Sequence, residues 1–172
     1  KYNGIIVEVT DEKLNSGKPK VLRHTLTDDL EKLDEVVSRD NFCLMSPISY
    51  AGKTRDSSMA RELYALAFDL DGIQTRIKDG EEWPYGLANF FHQVDHMMIM
   101  PKPTYVVSSG TGVHLYYVFE RPVPMFENIV EQIEILKKEL TRMMWHDSIS
   151  KLVDEIQYEP VCQGFRVVGT IT

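Results

Sequence analysis

The chain has 172 residues, 43% of them hydrophobic and 26% charged, with a formal net charge of −7. That is enough for one folded domain with its own core, and no apolar stretch is long enough to span a bilayer. The negative balance argues against attachment to nucleic acid over the whole surface, while Cys43 and Cys162 are too few for a disulfide framework or a cysteine-built zinc site. No secretory signal opens the sequence, so two reduced thiols and a cytoplasmic location are expected. Lys1 is not an initiator methionine and Ile171-Thr172 follows an apolar run, which suggests a piece of a longer polypeptide.

Gly4 to Val9 reads as a strand, and Asp11 to Lys20, polar with Gly and Pro, as a loop. Thr27-Asp28-Asp29 is suited to cap a helix whose apolar stripe is Leu30, Leu33, Val36 and Val37. Asn41 to Ile48 is a second strand, and Ser49 to Ser58 a loop holding Gly52, Lys53 and Arg55. Glu62 to Asp71 is the strand that carries chemistry. Alternation places Tyr64, Leu66, Phe68 and Leu70 on a core face and Ala65, Ala67, Asp69 and Asp71 on the other. Trp83 to Met98 reads as a helix, with Pro84 tolerated in its first turn. Thr104 to Ser109 and Val113 to Phe119 make a hairpin around Gly110-Thr111-Gly112. Phe126, Ile129, Val130, Ile133, Leu136, Leu140, Met143 and Met144 recur at helical spacing. Phe165 to Thr170 is a strand entering a turn, and the sum is one mixed α/β unit without repeats or linkers.

Residues i and i+2 of a strand point to the same side, so Asp69 and Asp71 face one spot, the arrangement a hard divalent cation requires. The bland alternative is two exposed acids at a strand end. A third ligand is expected, and Asp154 after the apolar pair Leu152-Val153 is the first candidate, with Glu155 and Asp147 behind it. His114 lies two residues after Gly112, where glycine permits close backbone approach, so it is a candidate for gripping an anion as against a merely packed strand histidine. Ser108 and Ser109 have hydroxyls suited to phosphate oxygens or simply to a hairpin turn. Arg166, flanked by apolar residues, needs a carboxylate or a phosphate as partner. Two basic clusters offer a local groove: Lys18, Lys20, Arg23 and His24, and Lys53, Arg55 and Arg61, of which the second lies just upstream of the acid pair. His92 and His96 have zinc-compatible i, i+4 spacing, but Gln93 stands where a metalloprotease motif has glutamate, and surface or core histidines are the expectation. Trp83, Phe90 and Phe91 read as helix packing.

With these residues in order, the chain resembles the catalytic domain of the archaeo-eukaryotic primase superfamily, especially the primase-polymerases of phages, plasmids and integrative elements. Asp69-Leu70-Asp71 is similar to the family's Asp-hydrophobic-Asp motif, and Ser109-Gly110-Thr111-Gly112-Val113-His114 to the motif ending in a nucleotide-binding histidine. Asp154 followed by Arg166-Val167-Val168-Gly169-Thr170 is similar to the third, with Val168 where family members commonly have proline. The resemblance runs from about Ser46 to the end of the chain. It implies an α+β primase-polymerase fold: an N-terminal α/β unit over residues 1–60 and an RNA-recognition-like catalytic half, with a mixed or antiparallel sheet and flanking helices, over residues 61–172. It also implies template-directed nucleotidyl transfer (primer synthesis, DNA polymerisation or both) on a DNA template and primer with nucleoside triphosphates. Two Mg²⁺ or Mn²⁺ ions on Asp69, Asp71 and Asp154 would do the chemistry. Ser109, Gly112, His114, Arg166, Lys53 and Arg55 would hold nucleotide or template phosphates, and a helicase domain or subunit would be the partner, with no membrane involved.

Two other readings are open. Phe68-Asp69-Leu70-Asp71-Gly72 nearly spells the signature of haloacid-dehalogenase-type phosphohydrolases, with Asp69 as nucleophile and Asp71 as general acid. That motif usually starts its domain, whereas more than sixty residues precede it here. A non-catalytic RNA-recognition-type module would instead show aromatic residues on a basic sheet face.

Overall fold

Ile5, Ile6 and Val7 are β-branched and consecutive, and they pack on both faces of strand β1, Gly4–Lys13. The computed structural model describes residues 2–28, 30–97, 100–110 and 112–170. Its contacts divide the chain into two compact units, Lys1–Ala65 with Phe119–Glu131 and Val161–Thr172, and Leu66–Val118 with Gln132–Pro160. The chain therefore passes from the first unit to the second and back more than once, where the sequence suggested a single crossing at residue 60.

In the first unit β1 lies inside an antiparallel sheet of order β10-β3-β1-β2, with β2 at Pro19–Leu26, β3 at Phe42–Met45 and β10 at Phe165–Arg166. The expected Asp11–Lys20 loop shrinks to a turn in which Leu14 N–H donates to Lys18 O at 2.8 Å. Strand β2 escaped the sequence reading because it is an edge strand whose outward residues, Arg23 among them, read as loop charge. Helix α1, Leu30–Val37, buries Val36 against Ile6 and Cys43, with Leu33 alongside. Leu30 is 75% exposed and lies outside that stripe. The Thr27 hydroxyl donates to Asn3 Oδ1, and Asp29 of the expected cap lies outside the described residues. The expected Asn41–Ile48 strand breaks at Ser46-Pro47, because proline cannot donate to a ladder. Strand β4, Ile48–Tyr50, follows the break and pairs with the start of β5, Ala60–Leu70.

Glu8 is the unusual core member of this unit, 1% exposed on β1. Asn41 Nδ2 donates to its Oε1 at 2.7 Å, Arg39 Nη1 to its Oε2 at 3.2 Å, and His24 Nε2 lies 2.6 Å from Oε2. Burial opposes its charge, but the Asn41 and His24 hydrogen bonds and the Arg39 charge outweigh burial and hold the carboxyl below its ordinary value. A lowered folded-state value means the unfolded chain binds the proton more readily, so the contribution is present above the unfolded value near pH 4.5 and lost as pH falls through the folded one. We expect the thermal midpoint to fall from about pH 5 downward and Glu8→Gln to flatten that part of the profile. Identical acid limbs for the two proteins in circular-dichroism melts would refute this.

In the second unit β5 continues from Leu66 to Leu70, with Phe68 and Leu70 fully buried. Both faces are covered here, so Ala67 is buried as well; in the first-unit part of β5 Ala65 is buried and Tyr64 of the expected core face is exposed. The second sheet has the order β4-β5-β9-β8. Its hairpin pairs β8, Tyr105–Ser108, with β9, Val113–Pro124, in the register Val107↔His114 and Ser108↔Val113. The sequence placed this hairpin within a residue at its facing ends. Trp83 is not helical: it closes β7, Glu81–Trp83, which pairs with β6, Arg76–Lys78, and it is 43% exposed. Helix α2, Tyr85–His92, starts after Pro84 and runs into a π turn, Gln93–Met97. Phe90 is buried and meets Phe91 edge-on at 5.3 Å. Helix α3, Glu127–Met144, has Gln132 onward in this unit, and there its buried residues are Lys137, Thr141 and Met144. The aliphatic Leu136 and Met143 of the expected stripe are exposed. Two polar residues sit on the buried face because they find acceptors, Thr141 Oγ1 donating to Lys137 O at 2.8 Å.

Candidate active site

The second unit brings the acid pair and the histidine loop together. Strand β5 stops at Leu70, and Asp71 follows immediately. The end of the strand is tied down: Ser150 Oγ donates to Asp71 O at 2.7 Å, and Lys151 N–H to Gly72 O at 2.7 Å. Opposite, Ser109 N–H donates to Gly112 O at 3.0 Å and closes the hairpin turn, in which Thr111 lies outside the described residues.

Gly112 is where the two segments meet. A Cβ on it would lie 2.3 Å from Leu70 O and 2.8 Å from Asp71 Oδ1, so only glycine allows the loop backbone this close to the acids. Two residues on, His114 is buried on β9, with Nε2 3.7 Å from Asp69 Oδ2. That separation is too long for a direct hydrogen bond and suits two groups that share a ligand. Asp69 Oδ1 is buried and makes no hydrogen bond among the described residues. A buried carboxylate oxygen left in that state is costly unless something else satisfies it, and it is the feature that fits a divalent cation here. Burial, helped by the negative charge of Asp69, pushes the Tyr116 hydroxyl up to about 12. Burial alone does the same to Tyr117, whose ring meets Phe68 edge-on at 5.8 Å.

Two residues that the sequence reading did not single out stand beside this pair. Glu159 is only 14% exposed in its side chain. Lys137 Nζ donates to Glu159 O at 3.0 Å and lies 3.5 Å from Glu159 Oε2. Burial pushes the Glu159 carboxyl up and the Lys137 ammonium down, each opposed by the charge of the other, and Asp69 acts on both. A lysine on the apolar side of α3 was the available signal, since an amphipathic stripe leaves no room for an uncompensated charge.

Of the other expected site residues, Lys53 in the first unit is exposed, after β4. Arg55 packs against Gly164, where a Cβ would lie 1.8 Å from its Nη1, and that nitrogen is buried without a hydrogen bond among the described residues. Arg166 on β10 pairs in register with Leu44, its guanidinium 5.3 Å from the Phe42 ring. In the second unit Asp154 is exposed on a 3-10 turn, Val153–Glu155, and Glu155 is exposed with it. Asp147 is exposed beside His146, with Nδ1 2.7 Å from its Oδ1. Among the described residues no three of His, Cys, Asp and Glu form a ready cation cage. Asp154 projects from a solvent-facing turn, whereas Asp69 lies on β5 and Asp71 directly after it. His92 and His96 have rings 4.6 Å apart but join no such group either.

Antiparallel sheets with flanking helices, and an acid-bearing strand beside a histidine-bearing one, define an α+β domain with the primase-polymerase fold. The chain is similar to the solved structure of the cyanophage S-2L primase-polymerase (PrimPol) AEP domain, with a TM-score of 0.60 and 15% sequence identity over 98% of this chain and 74% of that one. No protein-family model matches the sequence, and no curated protein is significantly similar to it. No helix among the described residues is long and apolar enough to cross a membrane.

Proposed function

We propose that this chain performs template-directed nucleotidyl transfer, making or extending a primer on DNA from nucleoside triphosphates. The observations that carry the proposal are His114 Nε2 3.7 Å from Asp69 Oδ2 and Gly112 seated against Leu70 O and Asp71, with Asp69 Oδ1 buried and without a hydrogen bond among the described residues. The likeness to a primase-polymerase domain favours this reading over a haloacid-dehalogenase-type hydrolase. Carboxylates, not aromatic residues, stand at the end of β5, which disfavours a purely RNA-recognition-type binder.

Asp69 and Asp71 would hold Mg²⁺ or Mn²⁺, two ions in the full reading, and such ions supply activation of the attacking 3′-hydroxyl and neutralisation of the leaving pyrophosphate. The chain's own part is to fix positions. Gly112 keeps the loop clear of a side chain, so that its amides and the Ser109 hydroxyl can approach an anion. His114, held on a paired strand, presents its imidazole beside Asp69 and would grip the triphosphate. Arg55, Arg166 and Lys53 are assigned phosphates of nucleotide or template, their guanidinium and ammonium groups being suited to that task. Asp154, on an exposed 3-10 turn, is the third acid that the family resemblance implies. A helicase domain or subunit is the partner that the family resemblance implies.

Incorporation of labelled nucleotide on a primed DNA template, with and without Mn²⁺, tests the proposal. His114→Ala should raise the apparent KM for the triphosphate by about 10- to 100-fold, the equivalent of one hydrogen bond to a charged group. Phosphate release from a simple phosphomonoester, with no incorporation, would establish the hydrolase reading instead.

A further inference from the structure

We propose that Tyr105 and Tyr116 form the surface on which the base of the incoming nucleoside triphosphate stacks, an inference that deepens the nucleotidyl-transfer reading above and rests on it. Side chains of β9 alternate between the two faces of its sheet. Val113, Leu115 and Tyr117 turn to one face, where the first two are buried and Tyr117 meets the Phe68 ring. His114, Tyr116 and Val118 turn to the other, the face on which His114 approaches Asp69. The hairpin register adds two residues of β8 to this face, Val107 opposite His114 and Tyr105 opposite Tyr116. Directly opposed residues of an antiparallel pair lie side by side on one face.

Burial falls away along this face. His114 is 5% exposed, whereas Val118 is 48% and Tyr105 63% exposed, with Tyr116 half-buried between them. Scattered exposed apolar residues are ordinary, but a group of them on one face beside a candidate site points to a binding surface. The Tyr116 ring stands edge-on to the His114 imidazole, at 83° with the ring centroids 6.4 Å apart. One two-residue step along a strand, about 7 Å, thus leads from the group assigned to the triphosphate to a pair of tyrosines. A nucleotide has the same layout, an anionic tail and a flat apolar base a short way off. Tyr105, Val107, Tyr116 and Val118 carry no charge, so this surface suits a base and not the phosphates of a template strand. The competing account is that the tyrosines only strengthen the β8–β9 ladder, as cross-strand aromatic pairs do. That role would show in melting and not in substrate affinity.

The test is incorporation on a primed DNA template by the whole chain as wild type, Tyr105→Ala and Tyr116→Leu, each checked by circular dichroism. Inorganic tripolyphosphate, which has the phosphates and no base, serves as competitive inhibitor. We expect each variant to raise the KM for deoxyadenosine triphosphate by about 5- to 100-fold, the worth of one base–aromatic stack, and to leave the Ki of tripolyphosphate within about twofold of wild type. Tyr105→Ala, at an exposed position, decides the matter if Tyr116→Leu fails to fold. A KM within about twofold of wild type in Tyr105→Ala overturns the stacking surface. A rise in KM matched by an equal rise in the tripolyphosphate Ki overturns it too, because the phosphate grip and not a base contact would then have been lost. A wild type that incorporates no nucleotide overturns the nucleotidyl-transfer reading itself, and this inference with it.

Discussion

Asp69→Asn should abolish incorporation, lowering kcat/KM by roughly 10³-fold or more, the loss that follows when a charge-stabilising group at the reacting centre is removed. The substitution keeps the size of the side chain and its place on β5, and removes the negative charge that lies 3.7 Å from His114. Addition of a chelator to the wild type should produce a comparable loss, and restored Mn²⁺ should reverse that loss but not rescue the variant. Folding should be unaffected, since Asp69 Oδ1 makes no hydrogen bond among the described residues whose loss would matter. If the Asp69→Asn variant kept activity within about tenfold of wild type, Asp69 would leave the cation site and the polymerase reading would go with it.

Gly112→Ala is the second severe change, and it acts by shape. The added methyl would sit 2.3 Å from Leu70 O and 2.9 Å from Asp71 Cα, both backbone atoms that cannot swing aside as a flexible side chain can. Forced packing of this kind costs about 1–3 kcal/mol, so the thermal midpoint should fall by several degrees. The larger effect should be on catalysis. The loop and the acid strand must separate, and a displacement of about 1 Å at a reacting centre costs on the order of 100-fold in rate. Incorporation assays beside thermal melts separate the two effects. A variant that loses stability but keeps its kcat would show that Gly112 serves the fold and not the site.

Both changes concern residues that were visible in the sequence. Asp69 and Asp71 announce themselves because a strand has a period of two, and the short Gly110-to-His114 segment needs only a hairpin to set its histidine in place. Lys137 and Glu159 were hidden for the opposite reason. They lie 22 residues apart on different elements, so the position of Lys137 on the apolar side of α3 hints that it faces inward but says nothing of its partner. Asp154 follows an apolar pair in the sequence, and the fold sets it on an exposed 3-10 turn. Trp83 looked helical because Pro84 suits a first turn, but the short hairpin before it captures the tryptophan, with Lys78 Nζ 5.9 Å from its ring.

Local periodicity and turn chemistry wrote β1, β5, the β8–β9 hairpin and α3 into the chain, together with the carboxylate pair and the histidine that they carry. Folding alone decided that Lys137 would be buried against Glu159, where the chain would leave and re-enter each unit, and that Asp154 would face solvent. Alternation along a strand is a property of neighbouring residues, whereas burial of a charge depends on partners brought from far along the chain, and those exist only once the core has closed.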